Sequence, residues 1–580
     1  MQQVYAQQGT HVPLPEGPFH LWPLPLARPL SSTSDMQRIL PLISLVLWTA
    51  CQSPETASEH WKPYDESAAI AAQSEHENVR MRYQLIQSKF QDKNTMWAPF
   101  EQELNAFGEA QYKALAPLIL EQSIPALQGH VAAGRLTYEQ LTTFYLYRIR
   151  QLESDSATTL HAVVALNPHA IEAAAALDRE REEATHPIYG MPILLKDNIN
   201  TAHMPTTAGA AILAQHTPPR DAFIVDQMTR KGALILGKVN LSEWAYFFCD
   251  DCPLGYSAVG GQTLNPYGKG QFETGGSSSG SGVAMAANYA AAAIGTETSG
   301  SILSPSSMNS IVGLKPTIGL ASRSGIVPIS STLDTPGPMT RTVVDNAIVL
   351  DAMYGADTED PITQSAPASR TFLQSVATAT LDGKRLGALA SLIQADSLYA
   401  AAVEDLRNAG AEVIEITPPE VRLDGFLSLL NGDMIRDLPH YFQHTAAPEY
   451  ASLDVAKVMA FNRTDSALHM PYGQARFEGI VNDPITEAGL DSLVDALNAE
   501  GKRFFDEPMK EHGLDAVLSI NNYHAAYAAV AFYPGLTVPM GYYANGEPAG
   551  LTFFAPGHEE ELLLGLAAAY EAATRNRRQP

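Results

Sequence analysis

Short apolar runs alternate with helix-length amphipathic segments along most of the chain. A helix is predicted from Thr137 to about Leu152, because the Thr137 hydroxyl and Gln140 three residues later have the spacing of a capping box. Runs rich in aliphatic residues predict buried strands at 161–166, 190–198, 233–236, 385–389, 412–416 and 516–520. This alternation predicts an α/β fold, a single large domain with a mixed β-sheet covered by helices on both faces.

Two further segments carry helix signals. Asn240 followed by Glu243 is typical of a helix start, so another helix is predicted there. The last helix is predicted from about Glu559 to Asn576, and the arginines near its end suit the negative end of the helix dipole.

The stretch 275–282 contains only glycine and serine, and Gly300-Ser301 follows a second small-residue segment. Glycine lets backbone N–H groups come close to a ligand, and donors fixed in advance stabilise developing negative charge. A flexible linker is the alternative, but the apolar run 283–294 between the two segments argues against it. We therefore expect Ser277 and Ser301, two candidate nucleophiles, at opposite ends of one short apolar helix.

A candidate base lies upstream, at the end of the apolar run 190–196. A lysine in this position is removed from water, which lowers its pKa and lets it act as a neutral base. The alternative is that Lys196 reaches the surface and pairs with Asp197.

These segments resemble the amidase signature family of Ser-Ser-Lys hydrolases. The matching motifs are 195–198, 275–282, 296–302 with Pro305, and 313–319. Within the family the chain is similar to the bacterial peptide amidases, through 237–245 and 260–267. The similarity runs from about Ile124 to the C-terminus.

The resemblance implies a relay of three side chains. Neutral Lys196 would take a proton from Ser277, Ser277 would take one from Ser301, and Ser301 would attack the amide carbonyl to form an acyl-enzyme. It also implies a cis peptide between Gly276 and Ser277. The product would be a carboxylic acid and ammonia from a linear carboxamide, with peptide C-terminal amides as candidate substrates.

The same resemblance implies an oxyanion hole of backbone N–H groups, from Thr298, Ser299, Gly300 and Ser301. The chain departs from many family members at two positions. Ser299 stands where glycine is common, which leaves the backbone donors intact. Leu303 stands where arginine is common, which speaks against the amidotransferase branch.

The chain is expected to have three consecutive parts, the last of which includes a cap. Residues 1–50 are predicted as an N-terminal extension and signal peptide, with translation starting at Met36, and 51–122 as a polar tether with N-terminal helices. The amidase domain is expected over 123–580, where the helical and aromatic segment 418–510 would form a cap over the site.

The net charge of the chain limits the classes of partner that it can bind. The 580-residue chain has a net charge of −26, which disfavours nucleic acid because phosphate binding needs clustered lysine and arginine. We expect a small-molecule or peptide amide substrate, no cofactor, and contact with a membrane only through a lipid anchor.

That anchor is predicted at Cys51. Arg38, an apolar run and the ending Thr49-Ala50-Cys51 have the build of a signal peptide with a lipobox, although Trp48 also leaves simple secretion open. A short buried core helix is the alternative. The expected location is the periplasm of a Gram-negative bacterium, free or as a membrane-anchored lipoprotein.

The other two cysteines and the histidines offer less. Cys249 and Cys252 supply two ligands where structural zinc takes four, so no metal site is expected, and both a disulfide and free thiols remain open. His203, His216 and His524 lie near the motifs, but the relay assigns no role to histidine.

Two other functions are considered. The chain could be the glutaminase-type subunit of a tRNA-dependent amidotransferase, which shares the signature, although the predicted export disfavours it. It could also be a non-catalytic amide-binding lipoprotein, although such a protein has no need for Lys196, Ser277 and Ser301 together.

Overall fold

The centre of the molecule is one large β-sheet. The structure is a computed structural model that describes residues 59–181, 186–365, 370 and 372–580. The strands are β1 Val163–Leu166, β2 Pro192–Lys196, β3 Leu234–Val239, β4 Tyr256–Ser257, β5 Gly261–Gln262, β6 Ala292–Glu297, β7 Val312–Lys315, β8 Thr335–Thr340, β9 Arg385–Leu389, β10 Glu412–Ile416, β11 Ala516–Ile520, β12 Gly535–Tyr542 and β13 Pro548–Phe554. Among the described residues, eleven of them form a sheet in the order β1-β3-β2-β6-β8-β7-β12-β13-β11-β9-β10, and β4 pairs with β5.

The sheet is mixed and both of its faces are covered. Strand β2 is parallel to β3 and β6, whereas β6 is antiparallel to β8. Every residue of β2, β3 and β6 is buried, which requires packing on both faces. The predicted fold class is therefore confirmed.

Helices surround this sheet. They are α1 Ser67–Gln73, α2 Lys93–Trp97, α3 Glu101–Ile119, α4 Ile124–Ala132, α5 Tyr138–Glu153, α6 Ala170–Glu180, α7 Phe223–Arg230, α8 Ser279–Ala286, α9 Leu303–Met308, α10 Val343–Met353, α11 Phe372–Ala377, α12 Ala390–Ala395, α13 Ser397–Asn408, α14 Phe426–His444, α15 Val455–Asn462, α16 Ser466–His469, α17 Ala475–Asn482, α18 Glu487–His512, α19 Ala525–Ala531 and α20 Glu560–Thr574. No helix in the described ranges has the length and apolarity needed to cross a membrane.

Several predicted elements are confirmed. Helix α5 begins after Thr137, and Thr137 and Gln140 form the reciprocal bonds of a capping box. Strands β9, β10 and β11 have the predicted bounds. The last helix ends at Thr574, close to the predicted end.

The apolar run 283–294 is not the single helix that its composition predicts. Helix α8 ends at Ala286, Asn288 has a φ of 56°, and the chain then enters β6. A helix buried on all sides and a strand buried on both faces are equally apolar, so composition does not separate them. Ser277 and Ser301 are therefore separated by a helix and a strand.

The helix predicted at Asn240 is also wrong. Only a single 3-10 turn forms, over Glu243–Tyr246, with left-handed φ values at Trp244 and Ala245. The Asn240 amide instead donates to the carbonyl of Gly261 at 2.9 Å. The polar groups that resemble helix-start signals are used to hold neighbouring loops.

The segment 418–510 contains α14 to α17 and all but the last two residues of α18, and it packs beside the sheet. Leu438 and Phe442 of α14 join a buried apolar cluster with Trp244, Ile329 and Leu333. This contact places α14 next to the loop that leads into β8. The proposed division of the chain at residue 122, and the cap role of 418–510, stay predictions.

Candidate active site

Lys196 ends β2 in the interior, with no exposed side-chain surface. Its Nζ lies 2.7 Å from Ser277 Oγ, 2.8 Å from Thr296 Oγ1 and 3.1 Å from the Thr296 carbonyl oxygen. The last two contacts come from the neighbouring strand β6, which is paired with β2. The sheet therefore fixes the amine against Ser277.

The neighbouring carboxylate does not pair with Lys196. Asp197 instead faces Lys238 of β3, with Nζ and Oδ1 3.2 Å apart, and it accepts a hydrogen bond from the Thr207 hydroxyl. This arrangement follows from the alternation of side chains along a strand, which turns consecutive residues to opposite faces. The alternative in which Lys196 reaches the surface and pairs with Asp197 is excluded.

Burial decides the charge of this amine. Loss of water around Nζ lowers the pKa of Lys196 from 10.5 to about 7, against the opposing effect of the Asp334 and Glu297 carboxylates. A substantial fraction of Lys196 is therefore neutral near pH 7 and able to accept a proton.

Ser277 lies in a loop that its neighbours hold closely. The Gly276–Ser277 peptide is cis, and the Ser277 carbonyl accepts a hydrogen bond of 3.0 Å from the Ser242 N–H. Gly275 has a φ of 64°, and a Cβ there would lie 2.7 Å from backbone atoms of Pro305. This close approach explains why glycine precedes the serine.

Ser301 lies in a second loop, which follows β6 and is organised by a buried carboxylate. Glu297 accepts hydrogen bonds from the N–H groups of Gly300 at 2.7 Å, Ile302 at 2.7 Å and Leu303 at 3.0 Å. The Gly300 N–H therefore faces Glu297, which removes it from the predicted set of oxyanion donors. Ser301 itself is 8% exposed.

The other three N–H groups of this loop differ from that of Gly300. Those of Thr298, Ser299 and Ser301 form no hydrogen bond to the described part of the chain. The Thr298 hydroxyl donates to Asp334, which lies just before β8.

The two serine loops meet through the backbone. The Ser278 N–H donates to the Ser301 carbonyl at 3.1 Å. Within the described residues no hydrogen bond joins the side chains of Ser277 and Ser301. The structure thus brings Lys196 to Ser277 directly and places Ser301 in the adjoining loop.

A cavity of about 570 Å³ opens beside these loops. Thr296 and Thr298 line its inner end, the loop 323–331 lines one side, and His440, Tyr441 and His444 of α14 line another. The arginines around it are paired: Arg220 with Glu359 at 2.9 Å, and Arg323 with Asp360 at 2.9 Å. The cleft next to Thr296 and Thr298 is therefore wide, and its arginines are already neutralised.

The remaining cysteines and histidines lie outside the relay. Cys249 and Cys252 form a disulfide, one of the two alternatives left open by the sequence. His216 and His524 are bonded to the Thr206 carbonyl and the Ser519 hydroxyl, and His203 is exposed. Across the described ranges, no group of three or more His, Cys, Asp or Glu residues could hold a metal ion.

Several residues of the site carry too weak a signal to be singled out from the sequence. Thr296 and Glu297 lie inside the motif 296–302. The signal for Glu297 is that an acidic residue stands at the end of an apolar run. Asn198, which donates to Thr296 Oγ1 at 3.0 Å, ends another quoted motif. Asp334 lies outside all the motifs, and nothing in the sequence marks it.

Comparison with known proteins identifies the family and its fold. The family model described as amidase matches residues 140–467. A probable amidase of Arabidopsis thaliana is 36% identical over 80% of this chain and 92% of its own length. An amidase family protein of Bacillus anthracis superposes with a TM-score of 0.80 and 36% identity, over 84% of this chain and 98% of the other. The peptide amidase of Stenotrophomonas maltophilia gives a TM-score of 0.75 and 38% identity, over 80% and 98%.

The same comparisons overturn the predicted location. The similar proteins include amidases of a plant and of fungi, and eukaryotic cells have no Gram-negative periplasm. The prediction of a periplasmic or membrane-anchored lipoprotein of a Gram-negative bacterium is therefore wrong. The segment on which it rested, including Cys51, lies outside the described residues.

Other relatives are A subunits of bacterial glutamyl-tRNA(Gln) amidotransferases, so the likeness extends to both branches of the family. The match covers most of this chain and nearly all of each relative. On these grounds the protein belongs to the amidase signature family and is an enzyme that hydrolyses amide carbon–nitrogen bonds.

Proposed function

We propose that the protein hydrolyses unsubstituted carboxamides to a carboxylic acid and ammonia through a relay of Lys196, Ser277 and Ser301. The observation that carries this proposal is the 2.7 Å contact between Lys196 Nζ and Ser277 Oγ inside the protein. A charged lysine in this environment would need a carboxylate partner, and Asp197 is committed to Lys238.

The contacts of Nζ suit a neutral amine. A neutral amine has two N–H donors and one lone pair. The Thr296 carbonyl can only accept, and Thr296 Oγ1 is within reach of the second N–H. The lone pair is then left for the Ser277 hydroxyl, the direction of proton transfer that the relay requires.

The relay balances its protons in both halves of the reaction. Ser301 Oγ attacks the amide carbonyl while its proton passes to Ser277, whose own proton passes to Lys196. The carbon–nitrogen bond then breaks, Ser277 protonates the leaving nitrogen, and Lys196 returns a proton to Ser277. Water repeats these steps on the acyl-enzyme and releases the acid. The hydrogen bond between the serines would form when substrate is bound, since such bonds are often long in an empty site.

The negative charge of the tetrahedral intermediate would be held by backbone donors. The N–H groups of Thr298, Ser299 and Ser301 have no partner among the described residues and belong to one loop. Because Glu297 holds the back of that loop, its donors are oriented before substrate arrives.

This proposal predicts the pH dependence. Lys196 must be neutral to accept a proton, and its pKa is lowered to about 7. Protonation below that pKa removes the base, so kcat/KM should rise through about pH 7 and stay high on the alkaline side. The measurement is a profile of ammonia release against pH. A profile that peaks in acid and falls above neutrality would point to a carboxylate or histidine base.

The cavity favours a neutral acyl group. Glutamine, the substrate of the amidotransferase alternative, carries an amino and a carboxylate charge that need free counter-charges. Arg220 and Arg323 are each paired with a carboxylate. Apolar walls from Ile326, Val327 and Ile329 add to this preference.

The leaving group is expected to be small. Ser277, which must reach the departing nitrogen, has no exposed surface, so that end of the site is enclosed. Ammonia is a smaller leaving group than a continuing peptide chain, so we expect unsubstituted amides to react and internal peptide bonds to stay intact. The likeness to a peptide amidase supports peptide C-terminal amides as substrates.

A pair of peptides tests the substrate. A C-terminally amidated peptide should be converted to its acid, with release of ammonia and a mass gain of about 1 Da. Its free-acid twin is the control and should remain unchanged. Mass spectrometry that shows shorter fragments from either peptide would overturn the assignment.

A further inference from the structure

We propose that Asp334 is a positioning residue, which sets the orientation of the Thr298 end of the oxyanion loop and thereby the rate of the chemical step. The inference rests on the proposed function, because it assumes that the loop 298–301 supplies the oxyanion donors. It concerns a carboxylate that the relay does not use.

Sheet register places this carboxylate at the loop. In the antiparallel pair of β6 and β8, Glu297 is opposite Thr335. The next residues outward, Thr298 and Asp334, therefore face each other where both strands end. The Thr298 hydroxyl donates to Oδ1 of Asp334 across this gap.

Asp334 is itself firmly held. Its Oδ2 accepts hydrogen bonds from the N–H groups of Ile329 at 2.8 Å and Ser330 at 3.0 Å. The side chain is 9% exposed and faces the cavity. A carboxylate bonded to three donors has little freedom to turn, so it is a rigid support for Thr298.

The oxyanion loop is consequently fixed at two points. Glu297 holds Gly300, Ile302 and Leu303 from behind, and Asp334 holds Thr298 from the cavity side. The free N–H groups of Thr298 and Ser299 lie between these two supports. Loss of the contact between Asp334 and Thr298 should leave substrate binding unchanged. It should, however, misalign the N–H donors that act in the transition state.

A second carboxylate, bonded to the same loop from helix α14, provides the control. Asp433 of α14 accepts hydrogen bonds from the Ser330 hydroxyl and from the Thr332 N–H at 3.3 Å. It supports the loop 329–334 without touching Thr298. Asp334→Asn and Asp433→Asn replace a carboxylate by an amide on the two sides of one loop. Asp433→Asn also removes the charge that pairs with Arg436 at 2.7 Å, so it disturbs the protein at least as much and is a demanding control.

The experiment measures kcat and KM on an amide substrate for Asp334→Asn, Thr298→Val, the double variant and Asp433→Asn. Deletion of a whole oxyanion donor lowers kcat about 10²–10³-fold, so misalignment should lower it about 10–100-fold with KM nearly unchanged. Asparagine has one acceptor oxygen in place of two, so it cannot accept from the Thr298 hydroxyl and from the Ile329 and Ser330 N–H groups together. Because both single changes disturb this one support, the double variant should be no slower than the slower single variant. Asp433→Asn should lower kcat much less than Asp334→Asn.

Apart from a parental kcat in Asp334→Asn, three outcomes would overturn the proposal. They are losses confined to KM, losses that multiply in the double variant, and an Asp433→Asn loss equal to that of Asp334→Asn. If Asp334→Asn does not fold, kcat of Thr298→Val is compared with kcat of Thr298→Ser. Serine keeps the hydroxyl that donates to Asp334, so Thr298→Ser should lose less of its kcat. Ser301→Ala is measured alongside. An inactive Ser301→Ala with parental kcat in Asp334→Asn refutes only this inference, whereas an active Ser301→Ala refutes the relay.

Discussion

Replacement of Ser301 by alanine is expected to abolish amide hydrolysis while the protein stays folded. Without Oγ no acyl-enzyme can form, and loss of a nucleophile that works as part of a unit costs on the order of 10⁵-fold or more in kcat. The fold should survive because Ser301 is joined to its neighbours here through its backbone, by the bond from the Ser278 N–H. Ammonia release from an amide substrate is the measurement, with the melting temperature as the check of folding.

Ser304 offers the matched control for this variant. It is a second buried serine three residues further along, on α9, and it is not part of the relay. Ser304→Ala should keep the parental rate. If a labelled acyl-enzyme forms in the parent protein but not in Ser301→Ala, Ser301 is the nucleophile. Hydrolysis by a folded Ser301→Ala protein would contradict the relay.

Part of the sheet was predictable, from apolar runs bounded by polar residues, whereas β7, β8, β12 and β13 were not predicted. Strands β9, β10 and β11 follow this pattern, and their bounds match the prediction. The pattern fails at the centre of the sheet, where α8 and β6 form one apolar run. Only the left-handed turn near Asn288 separates them, and a sequence does not reveal φ.

The site was predictable to the extent that the family resemblance supplied it. Lys196, Ser277 and Ser301 were candidates because of their residue types and the glycine-rich loops around the serines. Whether they lie close together in space depends on the order of the strands in the sheet. The 2.7 Å contact of Lys196 with Ser277 joins residues far apart in the chain. Asp334 shows the same limit, because it reaches Thr298 through the pairing of β6 with β8.

In the loop 298–301, one of the four backbone donors that the resemblance implies is already bonded within the protein, while the oxyanion role of the other three stays a prediction. The resemblance implied Gly300 among the donors, but Glu297 occupies its N–H. Gly300 is needed for a different reason: it has a φ of 84°, which a side chain rarely adopts. Glycine here lets the loop turn so that its N–H reaches the Glu297 carboxylate.

Removal of the base is expected to have the second large effect. Lys196→Ala and Ser277→Ala should each lower kcat by several orders of magnitude, because each interrupts the transfer of the Ser301 proton. Since the residues act as a unit, the double variant should be little slower than the slower single variant. Single-turnover kinetics on an amide substrate are measured for the two single variants and the double variant. Losses that multiply would mean that the two residues act independently.

Lys238 makes this prediction specific, because it is a second fully buried lysine on the adjacent strand β3. It pairs with Asp197 at 3.2 Å, so Lys238→Met would leave a buried carboxylate without its counter-charge and lower the free energy of unfolding by about 3–5 kcal/mol. Lys196 has no carboxylate in contact, and its neutral form loses no ion pair on replacement. We therefore expect Lys196→Met, which keeps the volume of the buried side chain, to lose activity with a near-parental melting temperature, and Lys238→Met to lose stability first. Near-normal turnover by folded Lys196→Ala would show that another group is the base.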